Sequence, residues 1–269
     1  MTGRVGVVYQ PQHPAAQELA ARVREIVAQE GQAVWAGSVW DVADLKANSV
    51  GLSLVVALGG DGTILRVGRV VAVHGVPLLG VNLGRLGFLS ELEPGDVDAA
   101  LPSYLRGDCW VEERTMVRAT VRASADGPPT QSYDALNEVL VGRGGLSRIV
   151  RLSLSVDGAP YAPTGSTACA LAAGGPVLSP YVPALVLIPV APHLSLARAL
   201  VVPDQATVQV SLAADHQAVL SVDGQVDVPI DDGALVEISA SPYRCRFLRR
   251  GERADFYRRL GEKLRHLRP

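Results

Sequence analysis

Lysine is almost missing from this chain of 269 residues. Of its 25 basic residues only Lys46 and Lys263 are lysine, which leaves 23 arginines. A loop of the Gly-Lys-Ser/Thr kind, in which a lysine meets nucleotide phosphates, is therefore absent. Cysteine is scarce too. Cys109, Cys169 and Cys245 lie far apart, odd in number and at no metal-ligand spacing. That pattern excludes a disulfide framework and a cysteine zinc site, and the expectation is a reduced, cytoplasmic protein. No apolar run is long enough to cross a bilayer, because the strongest, Val182 to Val190, is broken by Pro183 and Pro189. The first ten residues do not read as a signal peptide. The formal net charge is only -2, so no broad nucleic-acid surface is expected. What remains is 48% hydrophobic and 19% charged, a well-cored globular composition with room for one large domain or two ordinary ones.

The apolar patterning divides the chain in two. Val5 to Tyr9 reads as a strand, and Ala15 to Gln29 as a helix with Leu19, Val23, Ile26 and Val27 on one face. Ala33 to Trp35 follows as a short strand. Leu54 to Leu58 and Val76 to Val81 are apolar without alternation, as in strands covered on both faces, and a helix pattern from Ile64 to Val73 separates them. This is the rhythm of a doubly wound parallel sheet. Pro94 to Leu105 predicts a further helix. Beyond Gly107 the pattern changes to strands: Met116 to Ala123, Ala135 to Val141, Leu152 to Val156, Ala184 to Val190, Thr207 to Leu212, Ala218 to Val222 and Leu235 to Ala240. Asp157-Gly158, Asp223-Gly224 and Asp232-Gly233 mark turns between them. The reading is an α/β domain over 1–107, an all-β domain over 108–251, and an amphipathic helix over 252–269 that returns to the first domain.

Five residues carry the clearest chemistry. Gly59-Gly60-Asp61-Gly62-Thr63 sits between an apolar strand and a helix. There, glycine lets backbone N–H groups face a phosphate, and Asp61 can hold a metal ion or take a proton. The alternative is a tight turn, but a hairpin turn would lead into a second strand. Asn82-Leu-Gly84-Arg85-Leu-Gly87-Phe88-Leu89 follows the next strand, at the edge where open α/β sheets bind ligands; a structural loop fits equally well. Asn137-Glu138 interrupts an apolar strand with two polar residues, suited to a sugar diol or to an internal hydrogen bond. Pro163-Thr164-Gly165-Ser166-Thr167-Ala168 suits phosphate or ribose, or any turn. No His or acid stands where it would activate Ser166 as a nucleophile. Asp223-Gly224-Gln225 reads as a hairpin turn.

Taken in order, these motifs resemble the NAD kinase family, together with Gly174-Gly-Pro176, Pro189-Val-Ala-Pro-His193 and Ser221-Val-Asp-Gly-Gln225. The resemblance covers nearly the whole chain. It implies a Rossmann-like α/β domain and a β-sandwich-like second domain, built into homodimers or homotetramers. It also implies transfer of the γ-phosphoryl group of ATP or polyphosphate, with Mg2+, to the 2′-hydroxyl of the adenosine ribose of NAD. Asp61 is then the catalytic acidic residue, with Gly59, Gly60, Gly62 and Thr63 shaping the phosphate loop. Asp61, Gly62, Arg66, Phe88, Asn137, Glu138, Arg148, Thr164, Ser166, Thr167, Ala168, Cys169, Ala172 and Gln225 are the NAD-binding set the resemblance implies, with no metal held by side chains alone.

Three departures from the family pattern stand out. Roughly ten residues, including an Asp that helps place NAD, are missing between Gly158 and Pro163, and omission of a loop from the chain in hand is the favoured explanation. The direct Pro160 to Pro163 link leaves little room for the usual strand and turn. Cys169 stands where the family has Tyr, and Ala162 where it has Thr. A lipid or small-molecule kinase sharing Gly-Gly-Asp-Gly, and a non-catalytic dinucleotide sensor, are the competing readings.

Overall fold

A computed structural model describes residues 3–84, 87–144, 150–161, 175–190, 198–213, 217–252, 257, 258, 260 and 261. In chain order the first elements are β1 (Arg4–Tyr9), α1 (Pro14–Gln29), β2 (Ala33–Ser38), α2 (Val42–Ser49), β3 (Leu52–Gly59), α3 (Asp61–Val71), β4 (Leu78–Asn82) and α4 (Val97–Arg106). Strands then dominate: β5 (Trp110–Arg122), β6 (Pro129–Ala135), β7 (Val139–Arg143), β8 (Arg151–Val156), β9 (Ala159–Tyr161), β10 (Ala184–Leu187) and β11 (Leu200–Pro203). The last are β12 (Val208–Ala213), β13 (Ala218–Val222), β14 (Val226–Ile230) and β15 (Leu235–Arg249). Two compact units emerge, one of Met1–Glu113 with Arg244–Pro269 and one of Arg114–Tyr243.

The first unit is a parallel sheet in the order β2-β1-β3-β4, with the end of β15 joining beside β4. The order reverses between β1 and β3, so the topological switch lies at the carboxyl end of β3, beside Asp61. Full burial explains why β3 and β4 carry no polar alternation: Leu54, Val55, Val56, Ala57, Leu58, Leu78 and Leu79 are all sealed from water. The helix pattern of α1 is confirmed with Ala16, Ala20, Val23, Ile26 and Val27 inward and Leu19 half-buried. Helix α2 was not expected. Its apolar content is slight, with only Leu45 and Ser49 buried, and its start is set by Asp41, whose side chain accepts from the Asp44 N–H at 2.9 Å. The helix expected from Pro94 begins as a 3-10 turn at Pro94–Asp96 and becomes α-helical at Val97. Most of the expected terminal helix lies outside the described residues.

Tyr104, on α4, lies in this core and gives its hydroxyl to Glu91 Oε1 at 3.1 Å. Burial, and then the neighbouring Glu91 charge, push the hydroxyl's pKa well up. The folded state thus holds this proton more tightly than the unfolded chain. The stability it contributes is complete below about pH 10 and is lost as pH climbs toward the folded-state value. Tyr104→Phe should melt lower than the parent near neutrality, by about 1 kcal/mol for one hydrogen bond, and the gap should shrink above about pH 10. Melting curves across that range check it; parallel curves would show that Tyr104 does not titrate with unfolding.

Among its described residues the second unit contains strands and the segments that join them, and no helix. One sheet runs β9-β8-β12-β15, with β15 also paired to β5 and β5 to β6; a second runs β14-β13-β7. Val141, Ala218, Leu220 and Val228 of the second sheet share one core with Leu152, Val208, Val210, Leu212 and Val236 of the first, which makes a sandwich. Two expectations need correction. The strand predicted over Ala135 to Val141 is two strands, β6 and β7, separated by a bend at 136–138. The cause is distant in sequence: the buried Asp223 carboxylate accepts the N–H groups of Leu136 (2.9 Å), Asn137 (2.7 Å) and Glu138 (3.0 Å). The short link before Pro163 does accommodate a strand. Asp157 and Gly158, at φ 50° and 79°, form a two-residue hairpin that returns as β9 against β8.

Candidate active site

The site in the first unit is built where β3 meets α3. Gly59 is the last residue of β3, pairs with Asn82 at the end of β4, and is buried. A side chain there would stand 2.7 Å from Thr63 Cβ, so the strand-to-helix corner closes only over glycine. Gly60 caps the helix, and its carbonyl accepts from Thr63 N at 3.0 Å and Ile64 N at 3.2 Å. Asp61 is therefore the first residue of α3, three residues earlier than the helix pattern indicated. The phosphate loop expected from the glycine cluster reduces to one corner with a helix N-terminus behind it. That end carries the positive pole of the helix dipole. A Cβ on Gly60 would meet nothing within 4 Å, so open space rather than packing surrounds this residue.

Asp61 is half-buried, and both its oxygens are anchored by the loop that follows β4. Oδ2 accepts from Phe88 N at 2.7 Å and Oδ1 from Leu89 N at 3.1 Å. Two N–H donors occupy only part of a carboxylate's acceptor capacity, so the group is fixed in place with acceptor positions left over. Asn82 shapes the same loop from inside. Its amide nitrogen donates to Gly84 O (3.1 Å) and Glu93 Oε1 (3.2 Å), and its oxygen accepts from Gly84 N (3.0 Å). Phe88 is 41% exposed. Arg66 lies on α3 with its guanidinium 4.3 Å from the ring of Trp40, a stacked cation–aromatic pair.

In the second unit the 136–138 bend leaves Asn137 exposed and Glu138 half-buried, and both line a cavity of about 340 Å3 otherwise walled largely by valine and leucine. The pair thus escapes the strand interior, where one of the two would have been buried. Asp223 returns its own N–H to Glu138 O at 3.0 Å, so turn and bend are cross-stapled. Gln225, two residues on, is half-buried in the same turn, with its N–H on Val222 O. Asp223 is the residue that sequence reasoning passed over as an ordinary turn. Its positive φ of 52° and its burial are the signals that set it apart. Arg148, Thr164, Ser166, Thr167, Ala168, Cys169, Ala172 and His193 lie outside the described residues.

The family model for the ATP-NAD kinase N-terminal domain matches residues 16–109, and that for the ATP-NAD kinase C-terminal domain matches 136–250. This chain belongs to the NAD kinase family. An NAD kinase of Heliobacterium modesticaldum is 40% identical over 280 residues, covering 97% of this chain and 98% of the relative. An NAD kinase of Archaeoglobus fulgidus, solved in complex with ATP, superposes at a TM-score of 0.75 with 26% identity, over 98% of this chain and all of that one. Yeast NADH kinase, solved with NADH, superposes at 0.82 with 20% identity over all of this chain and 89% of that one, a likeness of fold. The NAD kinase N-terminal match contains Asp61 and the 88–89 loop, and the C-terminal match contains Asn137, Glu138 and Asp223.

Proposed function

We propose that this chain is an NAD kinase in which O2′ of the adenosine ribose of NAD attacks the γ-phosphorus of ATP. A new oxygen–phosphorus bond forms, the bond to the bridging β–γ oxygen breaks, and ADP leaves. The released proton passes to the Asp61 carboxylate as the new bond forms, because a ribose hydroxyl is far too weak an acid to ionise beforehand. The observation that carries this reading is Asp61 itself, at a helix N-terminus on the switch-point edge of the sheet, with both oxygens anchored by backbone N–H groups. The open space over Gly60 supports close approach of a phosphate, and the dipole of α3 favours its charge.

The remaining roles follow the family pattern. Gly59, Gly62 and Thr63 complete the corner under the phosphates. Asn137 and Glu138 hold the acceptor ribose, and Arg66, Phe88 and Gln225 contribute to NAD binding. Among the described residues no three His, Cys, Asp or Glu side chains converge as a metal site. Mg2+ enters with the nucleotide substrate, neutralising phosphate charge. The active form is a cytoplasmic homodimer or homotetramer. Light scattering of the purified protein checks the subunit count.

A coupled assay with an NADP-specific dehydrogenase, testing NAD and NADH against ATP and polyphosphate, tests the proposal. NADP formation that requires both a dinucleotide and a phosphoryl donor is expected. Phosphorylation of diacylglycerol without NADP formation, or dinucleotide binding without turnover, would replace it with one of the competing readings.

A further inference from the structure

We propose that Arg249, at the end of β15, is a positioning residue for Asp61. The proposal rests on the catalytic reading of Asp61 above. β15 runs parallel to β4 in this unit, with Phe247 opposite Leu78, so its carboxyl end reaches the edge from which the 83–90 loop leaves. The Arg249 side chain is 7% exposed. One terminal nitrogen donates to Leu89 O at 3.2 Å, to Ser90 O at 3.3 Å and to Glu91 Oε2 at 3.1 Å. The other donates to Glu112 Oε1 at 3.3 Å. Leu89 is thus gripped from both ends, its carbonyl by Arg249 and its N–H by Asp61 Oδ1. Through that one residue a buried guanidinium is linked to the proposed base.

The rest of the cluster fixes Arg249 in turn. Glu91 Oε1 accepts from the Tyr104 hydroxyl and from Arg250 N at 3.0 Å, while Glu91 N donates to Gly80 O at 2.9 Å. The Glu91 and Glu112 side chains are 3% and 5% exposed. Two carboxylates and one guanidinium removed from water are a poor source of stability, because desolvation offsets most of their attraction. Apolar side chains would fill this space as well. What they would not supply is a guanidinium fork whose one terminal nitrogen reaches the Leu89 and Ser90 carbonyls while the other stays on Glu112. That need accounts for a buried arginine here.

The test compares four variants with the parent. Arg249→Lys keeps a charge but not the fork. Arg249→Met/Glu112→Leu removes both charges and leaves Glu91 with its Tyr104 and Arg250 partners. Glu112→Gln and Asp61→Asn are controls. Displacing a reacting group by about 1 Å can cost roughly 100-fold in rate, and a smaller shift roughly 10-fold. A fall of that size in kcat is expected for Arg249→Lys and for the double variant, with KM for NAD and ATP within about twofold. Glu112→Gln should lower the melting temperature with kcat nearly unchanged. Parental kcat in either folded Arg249 variant would overturn the proposal. So would a kcat loss in Glu112→Gln as large as in Arg249→Lys, or failure of both Arg249 variants to fold while Glu112→Gln folds, since the role would then be structural. Normal turnover in Asp61→Asn would instead bring down the catalytic reading on which the proposal stands.

Discussion

Asp61→Asn is expected to lower kcat by about 100-fold to 10,000-fold, the range supplied by a positioned general base. The change keeps the size of the side chain but removes its ability to take a proton. It also turns an amide NH2 toward one of the two N–H groups, Phe88 or Leu89, that now donate to carboxylate oxygens. One hydrogen bond is lost, at a cost of about 1–3 kcal/mol, which a well-cored domain tolerates. The core supports that expectation, since β1, β3 and β4 are sealed and α1 and α4 cover them. Calorimetry should therefore find NAD and ATP still bound within a few-fold of the parent affinities, while the coupled assay finds almost no NADP. Near-normal turnover would remove Asp61 from the mechanism.

The second large effect is expected at Asp223, which contributes no group to the chemistry. Asp223→Asn can keep the positive φ, because Asn tolerates the left-handed region about as well as Asp. It cannot keep three N–H partners on two acceptor oxygens. At least one buried N–H in the 136–138 bend is left facing an NH2, and a destabilisation of about 2–3 kcal/mol is expected. The consequence for activity differs from that at Asp61. Asn137 and Glu138 lose their fixed bend, so KM for NAD should rise by an order of magnitude or more while the temperature-matched kcat falls much less. Denaturant unfolding and steady-state kinetics on the same preparation measure both. A stable variant with an unchanged KM would show that the bend holds itself without Asp223.

These two residues also illustrate what a linear sequence reveals and what it conceals. The β3 and β4 strands are legible because burial on both faces leaves an uninterrupted apolar run, and α1 because its inward positions recur at helical spacing. The acidic residue between strand and helix is legible because a glycine cluster between an apolar run and a helix pattern marks a sharp strand-to-helix corner. The anchoring of Asp61 is not, because its donors are main-chain N–H groups 27 and 28 residues away. The break between β6 and β7 is hidden for the same reason. Ala135 to Val141 has the composition of one strand, and it is Asp223, 85 to 87 residues later, that bends it. Nothing local separates Arg249 from Arg250 either, yet the first is buried and the second exposed. Helix α2 fails to register because so little of it faces the core.

The position of the new phosphate tests the account most directly. Product made from NAD and ATP should be isolated and its phosphorus–proton couplings read by NMR. The phosphate is predicted on the 2′-oxygen of the adenosine ribose, coupled to the proton at that carbon, with one ADP formed for each product molecule. A phosphate on the 3′-oxygen or on the nicotinamide ribose, or ATP consumed with the dinucleotide unchanged, would contradict it.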